Sequence, residues 1–296
     1  MVKSNVQLRN VANVAASKTA LIDLPIGPRY RYVVISHGYA SGTNTIAAGA
    51  TNISAIRVKV NGKVQRTYSG TQLRDLNLLN GTAYDCIGLP NTAPGVTFGI
   101  FLWEPWRKDT NDADILAWPS NRWSTLQIEV DLSTASTPTL TASAVIDGAT
   151  AEQVGKVLGV DADAIPIVKV FQTGVAAAGT SFDANIIDRR DKFQQVSLYP
   201  DSGGSNVTTQ TDLRVNGAVV HELVFQDNKA LLTNAGMTPA ASGRTASITD
   251  IVIDHDDILG SAIDLTGARE AVLTIRAAST MSGTITAIVQ KYGPKE

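Results

Sequence analysis

Ile56-Arg57-Val58-Lys59-Val60-Asn61-Gly62-Lys63-Val64, then Ser69-Gly70-Thr71-Gln72-Leu73 and, past Leu76, Asn80-Gly81, is the stretch on which the reading of this chain turns. Ile56, Val58 and Val60 alternate with Arg57 and Lys59, the period-two pattern of a strand with one buried face. Asn-Gly between two such runs marks a hairpin. A two-residue loop at Asn61-Gly62 pairs Val58 with Gln65 and splits the apolar residues between faces. A three-residue loop pairs Val60 with Val64 and Ile56 with Tyr68, and burial of one face favours this register. Ser69 and Gln72 have the spacing of a capping box. Leu73 and Leu76 then share one face of a helical turn that stops at Asn80-Gly81.

The same order of signals returns 155 residues later. Val60-Asn61-Gly62 recurs as Val215-Asn216-Gly217, Leu76 matches Leu231, and Gly81 matches Gly236. There the favoured register pairs Val215 with Val219, and Asp227 is placed to cap a turn carrying Leu231 and Leu232. Asp114-Ile115-Leu116 recurs as Asp257-Ile258-Leu259, and Thr139-Leu140-Thr141-Ala142 as Thr284-Ile285-Thr286-Ala287. One Val-Asn-Gly match is an ordinary hairpin coincidence, but several in one order argue a duplication.

Other short β-rich runs fit the same picture. Tyr30 to Ser36 is aromatic and β-branched, Leu126, Ile128 and Val130 alternate with polar residues, and Val272 to Ile275 leads on to Thr284–Val289. Half of 296 residues suits eight strands of about 5–6 residues with their loops better than a seven-strand sandwich of about 100. The expected fold is therefore all-β, two tandem eight-stranded antiparallel jelly rolls (a double jelly roll) with short helical turns. Residues 1–148 form the first, with a short N-terminal arm, and residues 165–296 the second. Residues 149–164 join them and hold a short helix opened by the capping box Thr150-Ala151-Glu152-Gln153.

Composition narrows the function. With 25 basic and 27 acidic residues the net charge is −2, which gives no electrostatic footprint for nucleic acid. Charged residues make up 18%, below the usual ~25%, as suits a surface partly hidden in an assembly. A single cysteine, Cys86, excludes an internal disulfide framework and a Cys-rich zinc site. No apolar run approaches the ~18 residues of a membrane-spanning helix, and the N-terminus opens no signal-peptide core.

No motif carries chemistry. Asp201-Ser202-Gly203-Gly204 is similar to the nucleophile loop of chymotrypsin-like proteases, with His37 upstream and Asp75 or Asp85 as possible orienters. Pro200 and Ser36-His37-Gly38 depart from that pattern, and a turn after Leu198-Tyr199 is the favoured reading. His37, His221 and His255 are isolated. Asp254-His255-Asp256-Asp257 fails the EF-hand template because Leu259 stands where glycine is required. It reads as a solvated loop, as does Asn111-Asp112-Ala113-Asp114. No catalytic, cofactor-binding or metal-binding residue is expected.

All four tryptophans, Trp103, Trp106, Trp118 and Trp123, fall in one segment. Exposed, they would make a sugar-stacking platform; buried, they are core or subunit-contact anchors. Phe98, Phe101 and Leu102 lead into them without a polar break, which favours burial. Lys3, Arg9 and Lys18 are too sparse for a genome-binding arm, and Val6, Leu8, Val11 and Val14 suit an ordered contact segment.

Leu24-Pro25-Ile26-Gly27-Pro28-Arg29-Tyr30, the Ile56–Val64 hairpin, Ser69–Leu73 and Leu76-Asn77 together resemble the N-terminal jelly roll of double jelly-roll major capsid proteins. The likeness is greatest to the corticovirus-type coat protein of membrane-containing icosahedral phages. Leu213 to Gly217 and the turn after Asp227 resemble the second barrel more loosely. The resemblance implies a non-enzymatic structural subunit of the virion capsid shell. It implies a homotrimer whose six barrels make a pseudo-hexagonal tile, contacts with neighbouring capsomers and with vertex and membrane-associated virion proteins, and an internal lipid membrane beneath the shell. The alternative is a carbohydrate-binding β-sandwich module of a viral tail or adhesin.

Overall fold

The computed structural model describes residues 3–40, 46–82, 85–87, 95–106, 116–134, 137–184, 190–199, 208–239, 248–253 and 262–295. Chain contacts divide it into two compact units, Met1–Val168 with Pro294–Glu296, and Lys169–Gly293.

The first unit is built from β1 (Ser4–Leu8), β2 (Val11–Ala12), β3 (Thr19–Asp23), β4 (Arg29–Gly38), α1 (Ile46–Thr51), β5 (Ile53–Val60), β6 (Lys63–Tyr68), α2 (Gly70–Leu79), β7 (Asp85–Ile87), β8 (Gly95–Phe101), β9 (Trp118–Pro119), β10 (Leu126–Leu132), β11 (Thr139–Asp147) and α3 (Ala151–Leu158). One sheet runs β1-β11-β4-β8-β7, with β9 also on β4; another contains the run β6-β5-β10-β3-β2. Alternate residues of β4, β5 and β10, among them Val33, Ile35, Ile56, Val58, Ile128 and Val130, are buried without exposed surface, so the period-two pattern is the core of this unit.

The second unit contains β12 (Pro166–Ala184), which begins in the first, then β13 (Lys192–Tyr199), β14 (Thr208–Val215), β15 (Ala218–Val224), α4 (Phe225–Asn234), β16 (Thr249–Val252), β17 (Ile263–Asp264) and β18 (Ala271–Pro294). β18 does the work of two strands. Its first part pairs with β14 and its later part with β13, whereas the first unit uses β10 and β11 for these ladders. Phe193, Val196, Leu198, Leu213, Ile251 and Ile275 are central to its core.

The ladders of the two units coincide residue for residue. Leu126, Ile128 and Val130 face Val60, Val58 and Ile56; Ala271, Leu273 and Ile275 face Val215, Leu213 and Thr211. β4 pairs with β11 through Val33↔Ala144 and then bulges past Arg31. β13 pairs with β18 through Val196↔Val289 and bulges past Gln194. Helices α2 and α4 occupy equivalent positions and end alike. Thr82 N–H donates to Asn77 O and Gly81 N–H to Leu78 O; Met237 N–H donates to Leu232 O and Gly236 N–H to Thr233 O. Both are Schellman stops with glycine at positive φ, 67° at Gly81 and 88° at Gly236.

The hairpins correct the expected loop length. Val60 pairs with Lys63 and Val215 with Ala218, so both loops have two residues, not three. Asn61 (φ 51°) and Gly62 (φ 79°) adopt left-handed conformations, as do Asn216 and Gly217, which matches the twist of a primed turn. The demand for one buried face is then met by a bulge at Gln65, after which Ile56 faces Tyr68 as expected. The second hairpin bulges at the equivalent Val220, and Leu213 faces His221.

The capping boxes at Ser69/Gln72 and Thr150/Gln153 both form. Asp227, however, is not a cap. α4 begins after Val224 with no side-chain cap, and Asp227 lies inside its first turn, where its charge favours the helix dipole.

Each turn asparagine also ties down the loop before the next strand. Asn61 Oδ1 accepts from the backbone of Ser124 and Thr125, and Asn216 Oδ1 from that of Arg269 and Glu270. Asn61→Ala and Asn216→Ala remove an acceptor and a residue tolerant of positive φ. Each should cost its own unit about 1–3 kcal/mol, read by hydrogen exchange of that unit's strands, and the double variant should be additive.

Candidate functional site

A buried cluster of charge lies in the first unit. Arg29 and Arg31 flank Tyr30 on β4, and Asp147 ends β11. Asp147 accepts from Arg29 Nε (2.9 Å) and Nη2 (2.8 Å), from Arg31 Nε (2.9 Å) and from the backbone N–H of Ala149 (3.0 Å). Its side chain has no exposed surface. Burial works to raise the Asp147 pKa, but the Arg29 hydrogen bonds, the Ala149 N–H and the two guanidinium charges outweigh it. The carboxyl is held below the usual carboxylate range. The bulge that skips Arg31 in the ladder aims it over the Trp103 ring, 4.8 Å from its centroid. Tyr30 donates to Pro25 O at 2.6 Å, and burial pushes its phenol up to about 12. Two arginines in a β-rich run give no sign of the distant Asp147 that joins them.

A second charged group lies on β5 and β10. Arg57 pairs with Glu129 and Asp131, and Lys59 with Glu129, all partly exposed. The second unit keeps the equivalent Arg57–Asp131 pair with its polarity reversed, as Asp212–Arg276 at 2.6 Å. A cross-strand pair is retained while each residue changes sign, which is what pairwise attraction requires.

The tryptophans divide. Trp118 has no exposed surface and Trp123 8%; their rings meet edge to face at 5.7 Å. Trp118 sits opposite Tyr30, the place that Ile263 takes opposite Phe193 in the second unit. These two are therefore core. Arg66 stacks on Trp118 at 5.0 Å and donates to Phe101 O and Val168 O. Trp103 and Trp106 are half-buried. Arg31 and Lys3 both lie over the Trp103 ring, and Trp106 meets Phe101 edge to face at 5.8 Å. Only this second pair has surface left for a contact. In the second unit, Val219, Val220, Val224 and Leu231 leave an exposed aliphatic surface on β15, at the end of its sheet, and on α4.

Of the residues weighed for chemistry, Asp201–Gly204, Asp254–Asp257 with His255, and Asn111–Asp114 lie outside the described residues, as does most of the Asp114/Asp257 repeat. His37 is fully buried and contacts Thr139 O and the Tyr39 ring; among the described residues no carboxylate bonds to it. His221 is buried against Thr211 at 3.3 Å. Asp75 is buried in α2. Among the described residues no cluster of three metal-ligating side chains occurs, and no helix is long and apolar enough to cross a membrane.

Burial lowers the His37 pKa, only partly opposed by its bond to Thr139. The unfolded chain therefore takes up a proton near the ordinary value of ~6.5 before the folded one does. Stability from this group is complete above that pH and is lost as pH falls toward the folded value, by up to about 1.4 kcal/mol per pH unit. His37→Phe should remove that part of the pH dependence of the unfolding midpoint between pH 7.5 and 5; an unchanged slope would discard the assignment.

Residues 5–147 match the family model described as viral coat protein P2 N-terminal domain. No curated protein matches the chain by sequence. Among solved structures it is similar to the major capsid protein P2 of bacteriophage PM2, with TM-score 0.75 and 17% identity over 99% of this chain and 97% of that one. It is similar to a chain of Sulfolobus Turreted Icosahedral Virus, with TM-score 0.73 and 11% identity over 99% and 91%. The Faustovirus major capsid protein follows at TM-score 0.65 and 7% identity over 100% and 90%. At these identities the structural likeness shows the double jelly-roll fold.

Proposed function

From the premise that this chain is a viral coat protein of the virion capsid shell, its residues 5–147 matching the viral coat protein P2 N-terminal domain, we propose that three copies close into one capsomer. The observation that carries this is the internal repeat, with equivalent ladders, bulges, turns and helix stops in both units. In this reading residues 1–148 and 165–296 are the two jelly rolls and 149–164 their joint. Two like barrels per chain let three chains present six similar edges while keeping true three-fold symmetry.

Trp103, Trp106 and the aliphatic surface of β15 and α4 supply apolar area for contacts within the capsomer, and polar surface suits the weaker contacts between capsomers. The subunit acts by assembly, not by catalysis. Vertex and membrane-associated virion proteins are its further partners. Its net charge of −2 suits a shell set off from the genome by an internal membrane, with no direct nucleic-acid contact. Native mass measurement tests the proposal: a stable species of about 94 kDa, three times the 31.3 kDa chain, is expected. A monomer whose tryptophan fluorescence responds to a saccharide would instead establish the carbohydrate-binding module.

A further inference from the structure

The repeat allows the two interiors to be compared position by position. In the first unit Ile53, Ile56, Leu73 and Phe98 are all buried around α2. The ladders place Thr208, Thr211 and Thr249 at the positions of Ile53, Ile56 and Phe98, and the helix alignment places Asn228 at that of Leu73. All four replacements are polar and all four remain at least 95% buried. Threonine is also much smaller than phenylalanine, so the exchange removes volume as well as apolar surface.

One hydrogen bond is conserved across this change. Asn77 Nδ2 donates to Gly99 O from α2 at 2.9 Å, and Asn228 Nδ2 donates from α4 to the equivalent carbonyl of Asp250. Leucine and asparagine have exchanged places four residues apart, Leu73/Asn77 against Asn228/Leu232. The exchange leaves Asn228 Oδ1 buried with no partner, and Thr249 Oγ1, on the neighbouring residue of β16, is buried with none either. A buried oxygen left unsatisfied destabilises the fold, and a polar space of sufficient size is normally filled by ordered water.

We infer that ordered water beneath α4 satisfies Asn228 Oδ1 and Thr249 Oγ1, where the equivalent positions of the first unit carry the apolar side chains of Leu73 and Phe98. The water adds to the direct Asn228–Asp250 bond and the buried Leu232 in holding α4 against β16. The helix ends of the repeat are preserved, but the contact beneath them is hydrated.

Two measurements on the whole protein decide this. A high-resolution crystallographic or cryo-EM map should contain solvent peaks within about 3.2 Å of both oxygens; an empty space there, or one filled by protein atoms, overturns the inference. Thr249→Val gives a test by sign. If Thr249 holds water, its near-isosteric replacement by valine should speed hydrogen exchange of the α4 amides about fivefold, the equivalent of one typical hydrogen bond. If the hydroxyl faces a dry space, valine relieves an unsatisfied group and exchange is unchanged or slower, which also overturns the inference.

Discussion

Asp147→Ala should lower the stability of the first unit by about 3–5 kcal/mol, because it leaves Arg29 and Arg31 buried without their shared carboxylate. Glu129→Ala, in the partly exposed network on β5 and β10, should cost about 1 kcal/mol or less. The contrast separates burial from the mere presence of an ion pair. Tryptophan fluorescence during denaturant unfolding is the direct readout, since all four tryptophans lie in the first unit. A loss for Asp147→Ala no larger than that for Glu129→Ala would refute the role given to the cluster. The effect should also fade in acid. The folded Asp147 pKa lies below the ordinary value, so its stabilisation is complete above the unfolded carboxylate value of ~3.9 and is lost as pH falls through the folded one.

Trp118→Ala carries the second large effect, about 3–5 kcal/mol. The ring is fully buried, meets Trp123 edge to face and carries the Arg66 guanidinium. Ile263, at the equivalent place, is only partly buried, so Ile263→Ala should cost the second unit less than Trp118→Ala costs the first. The residue types differ because Trp118 packs on a second aromatic, Trp123, where the second unit has Ala268. A Trp118→Ala protein of unchanged stability would place that ring at the surface and reopen the stacking-platform reading.

The parts of the fold that were legible in the sequence are those set by local chemistry. Asn-Gly at both hairpins, the capping boxes and the glycine stops each satisfy backbone groups within a few residues, so their spacing survives in the chain. Burial of one face alone favours a three-residue loop at each hairpin. The turn obeys backbone twist, and the bulges at Gln65 and Val220 then restore the buried face. One acidic residue near a helix start suits a cap or the first turn, and only the backbone path, which starts the helix after Val224, puts Asp227 in the turn. The Arg29–Arg31–Asp147 cluster joins residues more than a hundred positions apart, so no local pattern announces it. The tryptophans form one group in the chain, yet topology splits them: Trp118 and Trp123 enter the core, and Trp103 and Trp106 stay half-buried.

If one barrel, used twice in the chain, lets three molecules stand in for six, a cryo-EM reconstruction of the purified protein should show three chains around a true three-fold axis, contributing six barrels in which the Asn61 and Asn216 hairpins alternate around the ring. A ring of six chains, or a particle in which the two hairpins occupy unrelated places, would contradict it.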